Sequence, residues 1–317
     1  MQLTDRQLND YIDDVLFFGR EEKQRYERQI DHLKQTLVNA LQANSSLRAW
    51  KILHAGSWHK GTALRPFGTQ DIDIDIILYL NVPETGRGDL ADLHPLLLRS
   101  LRAAYPTKDP NDFTTSRKTV GIEFRTSGLL VDLVPVIPTE QPEGYVWQTE
   151  RGGRGTSLTS PEGQLEFIRQ CKARDPRYVQ VVRLAKRWRN HRRLHALPSF
   201  AIELLVAHLG LTQGVPDTIE QGFYRFFLYL VRGLKERITF PGALGHPPRS
   251  ACPVQIHDPT NNENNVTARM EPDEVTALLH EAVVALQAVN HAMSVERRGD
   301  TEKLWKQVLG PEFSLSR

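Results

Sequence analysis

Apolar positions along the chain fall into two regimes. In the first half, Tyr26, Ile30, Leu33, Leu37 and Leu41 recur at helical spacing and predict a long amphipathic helix over 20–43, with shorter helices over 5–18 and 90–104. Between these helices lie short apolar or alternating runs at 50–54, 71–80, 120–124 and 129–137, which predict strands, with turns at 83–88 and around Thr126-Ser127-Gly128. A twisted mixed sheet flanked by helices is the simplest assembly of these elements. Residues 145–161, YVWQTERGGRGTSLTSP, are glycine-rich and polar and predict a mobile loop. Beyond it the spacing turns helical, over 161–173, 176–193, an apolar helix beginning at Phe200, 222–237, 272–293 and 301–308. The expected fold class is therefore α/β (α+β), with a mixed-sheet lobe over 1–160 that includes an N-terminal spine helix, and a helical lobe over 161–317.

One predicted strand departs from strand logic. Asp71, Asp73 and Asp75 occupy every second position, so their carboxylates share one face while Ile72, Ile74 and Ile76 point into a core. Like charges at that spacing repel and Asp is depleted in strands, which marks a site rather than a folding preference. A divalent cation resolves the conflict, because hard oxygen ligands suit magnesium, which binds through one or two carboxylates plus substrate phosphates. Upstream, Gly56-Ser57 forms a turn in which glycine lets the backbone approach closely and a following helix would aim its amides at an anion. In the run GLLVDLVPVIP, Asp132 is the lone charge, and burying it requires a cation, a donor or a metal. An arginine partner is the bland reading of Asp132; a third metal ligand beside Asp73 and Asp75 is the sharper one.

Composition narrows the possibilities without deciding among them. The 317 residues are 40% hydrophobic and 25% charged with a net charge of +2, ordinary values for a folded chain and too balanced for a basic nucleic-acid coat. Two cysteines, Cys171 and Cys252, provide neither a disulfide framework nor zinc-like spacing and suggest a cytoplasmic protein. No apolar run approaches the ~20 residues that a membrane span requires. The many cations of 176–193 read first as a solvated face, with a nucleic-acid stripe as the alternative. His191 and His195, expected on one helical face, lack the glutamate of a zinc-protease motif. Phe223, Phe226, Phe227, Tyr229 and Leu230 are expected in a core.

The block from 56 to 80 resembles the signature of the polymerase-beta-like nucleotidyltransferase superfamily. Its GS-x-x-KGT-x-LRP, followed by D-I-D-I-I-L-Y-L, is most similar to the cyclic GMP-AMP synthase and oligoadenylate synthase branch, bacterial relatives included. Further matches are Asp132-Leu133-Val134-Pro135, then Lys186-Arg187-Trp188 followed by Leu197-Pro198-Ser199 and an apolar helix, and an Asp258-Pro259 segment with clustered asparagines that lacks one of the family's prolines.

The resemblance implies a nucleotidyltransferase, with its active site in a cleft between two lobes, that joins ribonucleoside triphosphates into a cyclic or linear oligonucleotide second messenger in antiviral, CBASS-like defence. It implies two Mg2+ (or Mn2+) ions on Asp73, Asp75 and Asp132, with Asp132 as general base. Gly56, Ser57, Lys60, Thr62, Lys186 and Ser199 would meet the nucleotide. Asp71 with Asp73 is the alternative metal pair, and the later pair is preferred because it aligns the apolar run 76–80 with the family's strand. ATP or other NTPs are the expected partners, with no membrane and no stable nucleic-acid partner; a downstream effector would bind the product and not this chain. A transferase acting on an RNA end or a small molecule, and a non-catalytic nucleotide- or RNA-binding module, are the competing readings.

Overall fold

A computed structural model describes residues 1–44, 47–67, 72–81, 92–140, 142–153 and 155–315. Asp71, the expected turn at 83–88 and the first two residues of the helix expected over 90–104 lie outside the described residues. The chain opens with α1 (Asp5–Tyr11), capped by the Thr4 hydroxyl with Gln7 closing a capping box, and runs on into a π-helical turn, Ile12–Leu16. The helix expected over 5–18 is thus a shorter α-helix with a widened last turn. Next come α2 (Arg20–Asn44), β1 (Arg48–His54), a five-residue α3 (Gly56–Lys60), β2 (Ile72–Asn81) and α4 (Leu93–Ala104). Strands β3 (Phe113–Thr115), β4 (Val120–Phe124), β5 (Leu129–Pro138), β6 (Val146–Thr149) and β7 (Thr156–Thr159) complete one seven-stranded sheet.

The sheet is mixed. Its order is β1-β2-β5-β4-β3, with β6 and β7 attached beside β5; β2 and β5 run parallel and all other pairs antiparallel. Strand alternation on β2 sends Ile72, Ile74, Ile76, Leu78 and Leu80 inward, all nearly inaccessible, as the sequence pattern requires. The other face carries Asp73 and Asp75 and then becomes apolar, where Ile77 and Tyr79 cluster with Val134, Val136 and Val146. Segment 145–161 does not form the expected loop. Val146 pairs with Pro138, and the β-branched threonines at 149, 156 and 159 tolerate strand geometry, so the segment folds into the β6–β7 hairpin. In the turn between them Gly152 adopts the left-handed conformation, φ 74°.

The remaining helices are α5 (Pro161–Arg174), α6 (Tyr178–His191), α7 (Ser199–Gln213), α8 (Ile219–Gly233), α9 (Pro272–Ser294) and α10 (Arg298–Leu309). On α6, Trp188 is inaccessible and meets the rings of Phe227 and Phe226 at 4.9 and 6.1 Å. The cations of α6 correct the sequence reading: Arg183, Lys186 and Arg187 are buried, not solvated. Arg183 lies 4.3 Å over the Phe17 ring, and Arg187 donates to Leu309 O at 2.7 Å and pairs with Glu312. Helix α6 ends at His191 and Arg193 turns to φ 56°, so His191 and His195 share no helical face. On α8, Phe223, Phe226, Phe227 and Leu230 are core residues as expected, while Tyr229 is half-buried.

The residues form two compact units, Met1–Phe17 with Thr62–Arg65 and Gln164–Arg317, and Phe18–Gly61 with Pro66–Gly163. Among the described residues, no helix is long and apolar enough to cross a membrane.

Candidate active site

The site begins with an aromatic seat. Trp58 of α3 packs against Phe18 and Tyr26 of the α2 region at 5.0 and 6.0 Å between ring centroids, and the Tyr26 hydroxyl donates to Ser127 O beside β5. These contacts fix α3, whose first residue, Gly56, adopts φ 66°. Ala55 N donates to Asp75 O at 2.9 Å, which brings the start of α3 against the carboxylate strand. A Cβ on Gly56 would lie 1.9 Å from Asp75 Oδ2, so only glycine allows this approach.

Parallel pairing of β2 and β5 sets Asp75 opposite Asp132 and Asp73 opposite Leu130. One oxygen from each of Asp73, Asp75 and Asp132 falls within 4.8 Å of the others. Asp132 is therefore not an arginine-paired core aspartate but the third member of an acidic cluster. The Asp73 carboxyl is pushed up to about 7, first by lost hydration and then by the charges of Asp75 and Asp132. Its side chain still exposes an edge to solvent, as an ion-binding group must. Burial also raises Asp132, and the Thr119 side chain acts in the opposite direction. Three hard oxygen donors, with no Cys or His in the cluster, fit a divalent cation of the magnesium class.

The other expected site residues divide between the two units. Gly56, Ser57 and Lys60 lie on α3 in the same unit as the carboxylates. Thr62, Lys186 and Ser199 belong to the helical unit. There Lys186 Nζ donates to Glu203 Oε1 at 2.6 Å and to Thr62 Oγ1 at 2.9 Å, and Thr62 Oγ1 donates to the same Glu203 oxygen at 2.7 Å. Ser199, at the start of α7, accepts from Arg189 Nη1 at 3.0 Å. Sequence reasoning missed Glu203, although a lone acid inside Phe200-Ala201-Ile202-Glu203-Leu204-Leu205 calls for a buried cation. It also missed Gly121 on β4, which stands opposite Asp132 and where a Cβ would come 2.7 Å from Asp132 Oδ1. A glycine inside a strand signals such a close approach.

Residues 1–171 match the Second Messenger Oligonucleotide or Dinucleotide Synthetase (SMODS) domain. The chain belongs to the SMODS family. It is 35% identical over 316 residues, 99% of each chain, to the CBASS oligonucleotide cyclase CdnC of Escherichia coli strain KTE188. It is 32% identical over 301 residues, 91% of each, to the cyclic AMP-AMP-AMP synthase of Escherichia coli strain MS 115-1. Two solved structures of Escherichia coli MS115-1 CdnC, each 29% identical, superpose on it. One contains ATP and has a TM-score of 0.82, with 98% of this chain and 99% of that one covered. The other is a complex with HORMA-deltaN at a TM-score of 0.78, with 98% of each chain covered. As a SMODS protein the chain is a nucleotidyltransferase of the oligonucleotide-cyclase kind, so the expected fold class, enzyme class and second-messenger function in antiviral defence are borne out. SMODS enzymes are metal-dependent, and among the described residues the acidic cluster of Asp73, Asp75 and Asp132 is suited to a metal.

Proposed function

We propose that Asp73, Asp75 and Asp132 hold Mg2+ or Mn2+, two ions in the complete site, and that the chain uses ATP, alone or with other NTPs, to build a cyclic oligonucleotide. The observation that carries this reading is the convergence of the three carboxylates, one from each of two β2 positions and one from the facing position on β5. When bound, the metal supplies charge for the donor triphosphate and lowers the proton affinity of the attacking ribose hydroxyl. That hydroxyl displaces pyrophosphate from the α-phosphorus of the donor, forming one phosphodiester bond for each pyrophosphate released. Asp132, whose carboxylate already has raised proton affinity, takes the hydroxyl proton. The Gly56-Ser57 turn, Lys60, Thr62, Lys186 and Ser199 orient the nucleotide, an assignment supported by the motif match. Lys186 already donates to Glu203 and to both the hydroxyl and the carbonyl of Thr62, which uses its three N–H groups, so a phosphate contact requires it to give up one of those bonds. ATP as substrate is favoured by the relative solved with ATP and by the relative named as a cyclic AMP-AMP-AMP synthase. The HORMA complex favours adding a protein partner of that kind to the nucleotides expected from sequence. NTP substrates and two free cysteines fit a cytoplasmic setting.

The test incubates purified protein with all four NTPs and Mg2+ or Mn2+ and identifies products by mass spectrometry. Wild type is expected to release cyclic oligonucleotides rich in AMP. Asp75→Asn removes a charge with little change in volume, so turnover should fall below about 1% while the melting temperature holds or rises, since mutual repulsion is relieved. Wild-type turnover by a folded Asp75→Asn protein would remove the metal assignment.

A further inference from the structure

Helices α6 and α7 are tied by two side-chain rungs one turn apart, and the rungs are not alike. In one, the Lys186 cation meets the Glu203 carboxylate at 2.6 Å, so charge answers charge. In the other, one turn further along α6 and one turn earlier on α7, the cation is Arg189 and its partner is the neutral Ser199 hydroxyl, at 3.0 Å. Neutral acceptors hold the rest of the guanidinium: Nη1 also donates to Leu197 O at 3.0 Å, and Nε donates to Asn190 Oδ1 at 2.9 Å. Among the described residues no carboxylate forms an ion pair with Arg189, and Glu203 favours its charge only from a distance. Burial lowers its pKa to about 10, which leaves it charged at neutral pH.

The consequence falls on Ser199. A hydroxyl has one hydrogen to give and lone pairs with which to accept, whereas a guanidinium only gives. Donation from Arg189 therefore makes Ser199 Oγ an acceptor on that side and leaves its hydrogen to be given elsewhere, polarised by the adjacent charge. The helix itself does not take that hydrogen into a cap: α7 has Pro198 at its N-cap and no side-chain cap hydrogen bond. Among the described residues it meets no acceptor, and Ser199 keeps part of its surface open to solvent. A donor hydroxyl backed by an unanswered positive charge is matched by a phosphate oxygen, an acceptor of opposite charge.

We propose that Arg189 is a positioning residue that commits the Ser199 hydroxyl to donating to a phosphate oxygen of the bound nucleotide. This inference rests on the nucleotide role proposed for Ser199. Arg189 acts through the hydroxyl and not in its place, because the two hydrogens of Nη1 are already taken by Ser199 Oγ and Leu197 O. A hydrogen bond to a charged group of this kind is worth about tenfold in affinity.

The test measures binding of a non-hydrolysable ATP analogue and of adenosine, with Mg2+ present, by calorimetry for wild type, Ser199→Ala, Arg189→Met and the double variant. Each single variant is expected to bind the analogue about tenfold more weakly and to bind adenosine, which has no phosphate, within about twofold of wild type. The double variant should be within about twofold of Ser199→Ala, since a residue that acts through the hydroxyl has nothing left to act through. In turnover assays Arg189→Met should raise KM more than it lowers kcat, as loss of binding shared by ground and transition states does. Arg189→Gln, which removes the charge and keeps amide hydrogen-bonding for the loop, carries the same expectation if the methionine variant does not fold. Wild-type affinity for the analogue in a folded Arg189→Met or Arg189→Gln protein overturns the inference. So does an additive loss in the double variant, which would make Arg189 independent of Ser199, and so does an equal loss for adenosine, which would place the effect in helix packing. Ser199→Ala separates the two levels: analogue binding at wild-type affinity removes the nucleotide role of Ser199 and this inference with it, whereas a weakened Ser199→Ala beside an unaffected Arg189→Met removes this inference alone.

Discussion

Residue 56 has two independent reasons to be glycine, and each has its own readout. A left-handed backbone costs a non-glycine residue about 1–2 kcal/mol, and this residue sits at φ 66°. The second reason is the 1.9 Å that would separate an alanine Cβ from Asp75 Oδ2, a contact that can be relieved only by moving a metal ligand or the start of α3. Gly56→Ala should therefore lower stability in urea by about 1–2 kcal/mol and lower product formation by 10²-fold or more, since ångström-scale misplacement of reacting groups is that costly. A loss of stability with unchanged turnover would show that Asp75 adapts. At Gly121 the backbone is ordinary and only the close approach matters, so Gly121→Ala should impair turnover more than it impairs folding.

The contact between α6 and α7 depends on a buried ion pair. The side chains of Lys186 and Glu203 are 3% and 1% accessible, and Thr62 is their shared hydrogen-bonding neighbour. Removing one partner from such a pair leaves an uncompensated charge, at a cost of about 3–5 kcal/mol, whereas replacing both with apolar groups of similar volume is often neutral. Urea unfolding should thus show Lys186→Met and Glu203→Leu each strongly destabilised and the double variant close to wild type in stability, though not in turnover if Lys186 serves the nucleotide. These helices also show where sequence reading ran out. The alternation of Ile72, Ile74 and Ile76 and the stripe on α2 were legible because each pattern is local. The Asp row was legible because it violates the same local rule. The burial of Arg183, Lys186 and Arg187 was not, because their partners Phe17, Thr62, Glu203, Leu309 and Glu312 lie 17 to 166 positions away in sequence. For the same reason the partner of the strand glycine Gly121 could not be named before the register of β4 against β5 was known. The β6–β7 hairpin was missed because its four-residue strands are polar and flank a glycine cluster, which reads locally as a loop.

Across the whole molecule, stability should depend on pH through a buried acid remote from the carboxylate cluster. Glu220 is 2% accessible and its carboxyl is raised to about 7 by burial, partly offset by the Leu3 amide and the amino-terminal charge. The folded protein therefore holds this proton at pH values where the unfolded chain, near 4.5, has released it. Stability from this group is complete below the unfolded value and is lost as pH rises through the folded one, by about 3 kcal/mol in total. Glu220→Gln keeps an acceptor for Leu3 N and removes the titration. Its stability relative to wild type should grow from near zero at low pH to about 3 kcal/mol at pH 8, as read from urea midpoints across that range.

The helical unit draws on both ends of the chain, Met1–Phe17 and Gln164–Arg317, and this bears on how the protein is made. Asp5 waits for Arg177, its ion-pair partner 172 positions later, and for the amide of Ile219. At a synthesis rate of about 5–20 residues per second the first of these arrives roughly ten to thirty seconds after Asp5 is made. During that interval Leu8, Tyr11, Ile12 and Leu16, all inaccessible in the finished protein, have none of their late-made neighbours to cover them. Every strand of the sheet, ending with Thr159, is synthesised before Arg177. The apolar residues of α1 thus wait for partners made much later in the chain, so their burial follows the order of tertiary contacts and not the order of synthesis.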